Sequence, residues 1–197
     1  MSVPDEDYHR EISKELAKHI RKLVPMEKEL TALVVGLGNR EVTPDALGPD
    51  VVSNLRITRH VIQEYGVQSM GREYANSISG LVPGVMAQTG METLEIIKGV
   101  VDETKPDVVF AVDALAARST KRLNRTIQIT DTGINPGSGV GNHRNGLSEE
   151  TLGVKVIGIG VPTVVDAATI VQDSMAHLLD TLEESEKKGF LEEMIAP

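Results

Sequence analysis

Apolar positions along the chain follow two alternating patterns, short unbroken runs and stretches with three-and-four spacing, and the alternation predicts the fold. Ile12, Leu16, Ile20 and Leu23 recur at helical spacing, which predicts an amphipathic helix over residues 11–23. Leu33-Val34-Val35-Gly36 is a compact apolar run ending in glycine, the form of a parallel strand buried on both faces. A polar loop over 37–48 follows it. Pro49 and Asp50 suit the first turn of a helix reaching about Ile62, with Val51, Val52, Leu55 and Ile62 facing inward. A helix beginning at Pro44 would carry Pro49 in its interior, where the ring removes a backbone hydrogen bond, so Asp45 is expected in the loop.

Further on, residues 74–79 form a weak strand candidate, and residues 91–103 a helix with Leu94, Ile97 and Val101 on one face. Val108-Val109-Phe110-Ala111-Val112 is the strongest strand signal, continuous and rich in β-branched residues, and it runs directly into Asp113. Residues 127–130 alternate like an edge strand, and residues 154–161 form another apolar strand interrupted by Gly158 and Gly160. A last helix, about 164–182, places Val164, Ala168, Val171, Met175, Leu178 and Leu182 at three-and-four spacing, which predicts a core-facing stripe. Strands alternating with helices predict an α/β fold: one doubly wound, mostly parallel sheet with helices on both faces. The expected organisation is a single domain over 1–197, with 183–197 as a loosely attached tail.

Composition narrows the function classes. The chain has 197 residues and is 40% hydrophobic, enough for one well-buried core. It contains no cysteine, which excludes a thiol nucleophile, a disulfide framework and a cysteine metal site. A net charge of −9 argues against a nucleic-acid backbone as partner, and 3% aromatics without Trp supply no platform for stacking bases. Residues 1–22 mix charged and apolar positions without an unbroken hydrophobic stretch, so neither a signal peptide nor a membrane span is expected there, and the protein is expected to be soluble and intracellular.

The chemistry concentrates on two aspartates. Asp45, in Val42-Thr43-Pro44-Asp45-Ala46-Leu47-Gly48-Pro49, and Asp113, in Ala111-Val112-Asp113-Ala114-Leu115, each lie just beyond a strand-like run. In open parallel sheets ligands bind beyond the carboxyl ends of the strands, near the point where strand order reverses, so both acids can reach one crevice. Two carboxyls sharing a proton there can act as general acid and general base on one water.

Other motifs carry less. Gly36-Leu37-Gly38-Asn39 resembles a dinucleotide loop, but Glu41 stands where the third glycine is required, so a sharp turn at the site is the better reading. Ser138, in Pro136-Gly137-Ser138-Gly139, lacks the glycine two positions before it that a nucleophile elbow needs. Asp131-Thr132-Gly133 matches the active tripeptide of pepsin-like proteases, which are all-β, and is read here as a loop anchor. His9, His19, His60, His143 and His177 show no metal-ligand spacing; four read as solvated, and His143 in the glycine-rich loop is kept as a candidate site residue.

The segments 33–39, 42–49, 58–60, 82–86, 113–119, 136–142 and 160–167, spread over roughly residues 30–170, closely resemble the bacterial spore germination proteases. The resemblance implies an endopeptidase that degrades small acid-soluble spore proteins in the cytoplasm of the spore core. It also implies a fold similar to hydrogenase maturation proteases, a homo-oligomer, no cofactor, and an unusual aspartic mechanism whose two essential aspartates match Asp45 and Asp113. Against the longer members it implies a short form without their propeptide and C-terminal extension. Backbone N–H groups at Gly38, Asn39, Gly137, Ser138 and Gly139 are the candidates for binding substrate and its oxyanion. No direct contact with nucleic acid or membrane is expected. Two other readings fit the residues: a metal-dependent hydrolase holding its ion with two acids and one histidine, and a module that binds spore proteins without cutting them.

Overall fold

The two strongest apolar runs become neighbours inside a five-stranded sheet. The computed structural model describes residues 5–25, 29–136 and 145–195. Its strands are β1 (Thr31–Gly36), β2 (Ser77–Leu81), β3 (Val108–Ala117), β4 (Gln128–Thr130) and β5 (Lys155–Val165). They lie in the order β2-β1-β3-β5-β4, with only β4 antiparallel to its neighbour. Helices α1 (Asp5–Leu23), α2 (Leu47–Ser53), α3 (Arg59–Tyr65), α4 (Met86–Thr89), α5 (Thr93–Thr104), α6 (Glu149–Leu152) and α7 (Ala167–Ile195) complete it. The predicted α/β class with a mostly parallel sheet is therefore what the chain forms.

Both faces of the central strands are covered, which is why those strands read as unbroken apolar runs. On one face Leu33, Val35, Val109, Ala111 and Val156 pack with Ile97 and Val101 of α5 and Leu152 of α6. On the other, Ala32, Val108 and Ile157 pack with Leu23 and Val24 at the end of α1. Burying side chains of this size stabilises a fold by roughly 1.5–3 kcal/mol each, so these two layers hold β1, β3 and β5 in register.

Several boundaries differ from the sequence expectation. The helix expected over 49–62 is two helices, α2 and α3, because Thr58 between them is committed to β2: its N–H donates to the Ile78 carbonyl at 3.0 Å, its hydroxyl donates to the Asn76 carbonyl at 2.6 Å, and that hydroxyl accepts from the Ile78 N–H at 2.9 Å. A residue paired in that way cannot also continue a helical ladder. The strand expected over 74–79 begins at Ser77 and ends at Leu81, opposite Thr31 to Val35. β3 does not stop at Val112, since Asp113 through Ala117 pair with Gly160 through Val165 of β5. Val164 and Val165 are therefore strand residues, and α7 starts at Ala167, capped by Asp166, whose carboxylate accepts the Thr169 N–H at 2.8 Å.

The stripe on α7 is the clearest correction. Val171, Met175, Leu178 and Leu182 are more than half exposed instead of buried in the core. Helical periodicity records that one face is apolar, not what covers it, and α7 packs against the turn after β3, to which Asp173 ties it. The backbone of the expected loose tail stays helical through Ile195. No helix among the described residues is long and apolar enough to cross a membrane.

Candidate active site

Strand order reverses between β1 and β3: the chain leaves β1 for β2 on one side and then crosses back to place β3 on the other. Ligands of open parallel sheets bind at such a point, past the carboxyl ends of the strands. The last β1–β3 pair is Gly36 with Val112, and the Leu37 N–H then donates to the Val112 carbonyl at 2.8 Å. Asp113 is the next residue on β3, one step past the end of β1. It lies inside the strand, paired in register with Gly160 of β5, not in the loop beyond it. It is buried at 5% exposure, and its Oδ1 accepts the Ala114 N–H at 2.9 Å.

Asp45 reaches the same place from the loop after β1. The segment 43–45 forms a single 3-10 turn with Pro44 near its start, and the Asp45 N–H closes a turn onto the Val42 carbonyl at 2.8 Å. Asp45 Oδ2 accepts the Asn39 N–H at 2.7 Å. Gly38 makes this possible: its φ is +109°, and a Cβ there would overlap the Asp45 carbonyl. Asp45 and Asp113 both line one cavity of about 980 Å³, together with Gly38, Thr93, Arg118, Arg122, Asn135, Thr163 and Asp166. Both predicted carboxyls thus line one crevice.

The other expected site residues distribute unevenly. Gly38 lines the cavity, whereas the Asn39 N–H is engaged by Asp45. Gly137, Ser138, Gly139 and His143 lie outside the described residues. His9, His19, His60 and His177 are exposed, and Asp131 is exposed in the turn after β4. Among the described residues no group of three or more His, Cys, Asp or Glu is placed to hold a metal ion.

Sequence reasoning missed two acids around the cleft. Asp166 lines it as a third carboxylate, held below the ordinary carboxylate range first by the Thr169 N–H and then by the Thr169 hydroxyl, so it contributes a standing negative charge. Asp173 of α7 ties that helix to the end of β3. Its Oδ2 accepts the Thr120 hydroxyl at 2.7 Å, the Thr120 N–H at 2.6 Å and the Ser119 hydroxyl at 3.0 Å, and these donors, Thr120 first, depress its pKa. The turn it caps carries Arg122. The signal for Asp166 is a Thr three residues on, too common to single out without the fold, and Asp173 has no local signal, since Ser119 and Thr120 are distant from it in sequence.

A carboxylate with a depressed native pKa stabilises the fold above its ordinary pKa and loses that contribution as pH falls through the native one. Asp173→Asn is therefore expected to lower the melting temperature at neutral pH, with the gap to wild type closing in the acid range. Thermal melts at the two pH values check this, and a gap of the same size at both would refute it.

A family model described as germination protease matches residues 2–197. The chain belongs to the germination protease family. The germination protease of Caldanaerobacter subterraneus subsp. tengcongensis is 53% identical over 184 residues, covering 93% of this chain and 56% of the relative. That of Bacillus subtilis (strain 168) is 57% identical over 156 residues, covering 78% of this chain and 41% of the relative. The chain spans about half the length of the germination proteases it matches. Among solved structures, the [NiFe] hydrogenase maturation protease HycI from Thermococcus kodakarensis KOD1 aligns at a TM-score of 0.40 and 18% identity, over 76% of this chain and 90% of that one.

Proposed function

We propose that the chain is a spore endopeptidase that cleaves small acid-soluble spore proteins, with Asp45 and Asp113 as its paired catalytic carboxyls. The observation that carries this reading is that both acids, 68 positions apart (113 − 45), line one cleft at the strand-order reversal of a germination protease fold. One carboxylate takes a proton from a water in the cleft as the water oxygen attacks the scissile carbonyl carbon. The other, protonated, donates to the carbonyl oxygen; when the C–N bond breaks, the first gives its proton to the leaving nitrogen and the second takes one back from a hydroxyl of the tetrahedral intermediate. The Gly38 backbone and the glycine-rich 137–139 segment are the candidates for receiving substrate and oxyanion, while Asn39 orients Asp45.

The test is incubation of the purified chain with a small acid-soluble spore protein, followed by mass spectrometry of the products with and without a chelator. Discrete internal cleavages that persist under chelation are expected. Binding without cleavage would select the non-enzymatic reading, and loss of cleavage on chelation would transfer water activation to a metal. The exposed apolar stripe of α7 supports assembly as a homo-oligomer, and the native mass spectrum of the same sample would refute that by showing monomer alone.

A further inference from the structure

The register of β3 against β5 contains one irregularity, and it falls at the cleft. Leu115 pairs with Pro162 and Ala116 pairs with Val164, which leaves Thr163 as the extra residue of a β-bulge. Pro162 has no N–H to give to a ladder, and its carbonyl is taken by the Asn124 N–H at 2.8 Å, so the strand departs from regular pairing here. Bulges bend a strand and re-aim one side chain. The side chain re-aimed here is Thr163, which lines the cleft and whose hydroxyl donates to the Pro44 carbonyl at 2.5 Å, across 119 residues of sequence.

That carbonyl belongs to the peptide group joining Pro44 to Asp45. Its other end, the Asp45 N–H, donates to Val42. A peptide group is planar, so fixing both its oxygen and its hydrogen fixes the orientation in which the Asp45 Cα leaves it. The Asn39 N–H then holds the far end of the same residue at Oδ2. To the hydrogen bonds within its own loop, Thr163 adds a tie from the turn to β5, the strand whose Gly160 pairs with Asp113.

We propose that Thr163 is a positioning residue, which uses the β5 bulge to lock the Asp45-bearing turn at a fixed place relative to Asp113. This rests on the paired-carboxylate reading for its catalytic consequence, but the anchoring is measurable without turnover. Misplacing a catalytic group by about 1 Å can cost on the order of 100-fold in rate, while remote binding contacts are untouched.

The experiment compares Thr163→Val, which keeps the shape and removes the donor, with Thr163→Ser, which keeps the donor. Hydrogen exchange at the Asp45 and Ala46 amides, both bonded within the turn, is expected to rise about tenfold or more in Thr163→Val and to stay near wild type in Thr163→Ser. For spore-protein cleavage, Thr163→Val is expected to lower kcat by about 10- to 100-fold with KM within about twofold, and Thr163→Ser to stay within about threefold of wild type. Unchanged exchange at Asp45 and Ala46 in Thr163→Val overturns the anchoring. Raised exchange with undiminished kcat overturns the positioning role, as would Thr163→Ser failing in step with Thr163→Val. An Asp45→Asn control that still cleaves would instead remove the paired-carboxylate reading, leaving the exchange result to stand for the anchor.

Discussion

Replacing Asp113 by asparagine is expected to leave a folded protein that cleaves spore protein at least about 1000-fold more slowly, because a positioned proton donor or acceptor contributes on the order of 10²–10⁴ in rate and an amide can do neither job. The substitution is close to isosteric, and the Ala114 N–H that Oδ1 accepts can be accepted equally by an amide oxygen. Burial at 5% exposure means that the lost carboxyl is not replaced by bulk water at the same position. Asp45→Asn is expected to fall as far, since in the proposed mechanism both carboxyls serve one water. Groups acting as a unit are not additive, so the double variant should be little slower than either single one. The decisive measurements are kcat for the three variants beside their melting temperatures. Substantial cleavage by either single variant, or a double variant slower by the product of the two effects, would remove the paired mechanism.

The parts of this arrangement legible in the sequence are those dictated by burial. Leu33 to Gly36 and Val108 to Val112 read as strands because both of their faces are covered, so no polar residue interrupts them. The two aspartates stood out as acids placed where such runs end. What pairing alone decides was hidden. Ala114-Leu115-Ala116-Ala117 has helix-forming composition, yet β5 holds it as strand, so Asp113 turned out to lie within β3. Thr58 splits a helix because its hydroxyl and backbone answer to β2. Thr163 carries no local signal whatever, since its role comes from a register slip between strands distant in sequence. On α7 the periodicity was correct and its interpretation was not: Met175 and Leu178 form an apolar face that stays exposed.

Glycines where β1 meets α2 carry the largest expected effect on stability. Gly36, at the end of β1, and Gly48, near the start of α2, face each other so closely that a Cβ on Gly36 would overlap the Gly48 carbonyl and stand 2.9 Å from the Pro49 nitrogen. A Cβ on Gly48 would overlap the Leu37 carbonyl and stand 2.6 Å from the Val112 carbonyl oxygen. Neither glycine has a left-handed φ, so alanine is acceptable to the local backbone and steric overlap alone decides the outcome. The obstructing atoms are main chain, which no side-chain rotation can move. Gly36→Ala is therefore expected to destabilise the fold by about 3 kcal/mol, the upper end for overpacking a close-packed interior. Because relief requires α2 to move off β1 and Val112, the loop bearing Asp45 shifts with it, and cleavage should fall further than the folded fraction accounts for. Gly99→Ala on α5 is the internal contrast, since a Cβ there meets nothing within 4 Å; helix propensity predicts that it stabilises by about 0.5–1 kcal/mol. Denaturant unfolding of the two variants, with activity measured per folded molecule, checks the argument. A Gly36→Ala protein as stable as Gly99→Ala would mean that the contact between β1 and α2 is not what holds the Asp45 loop in place.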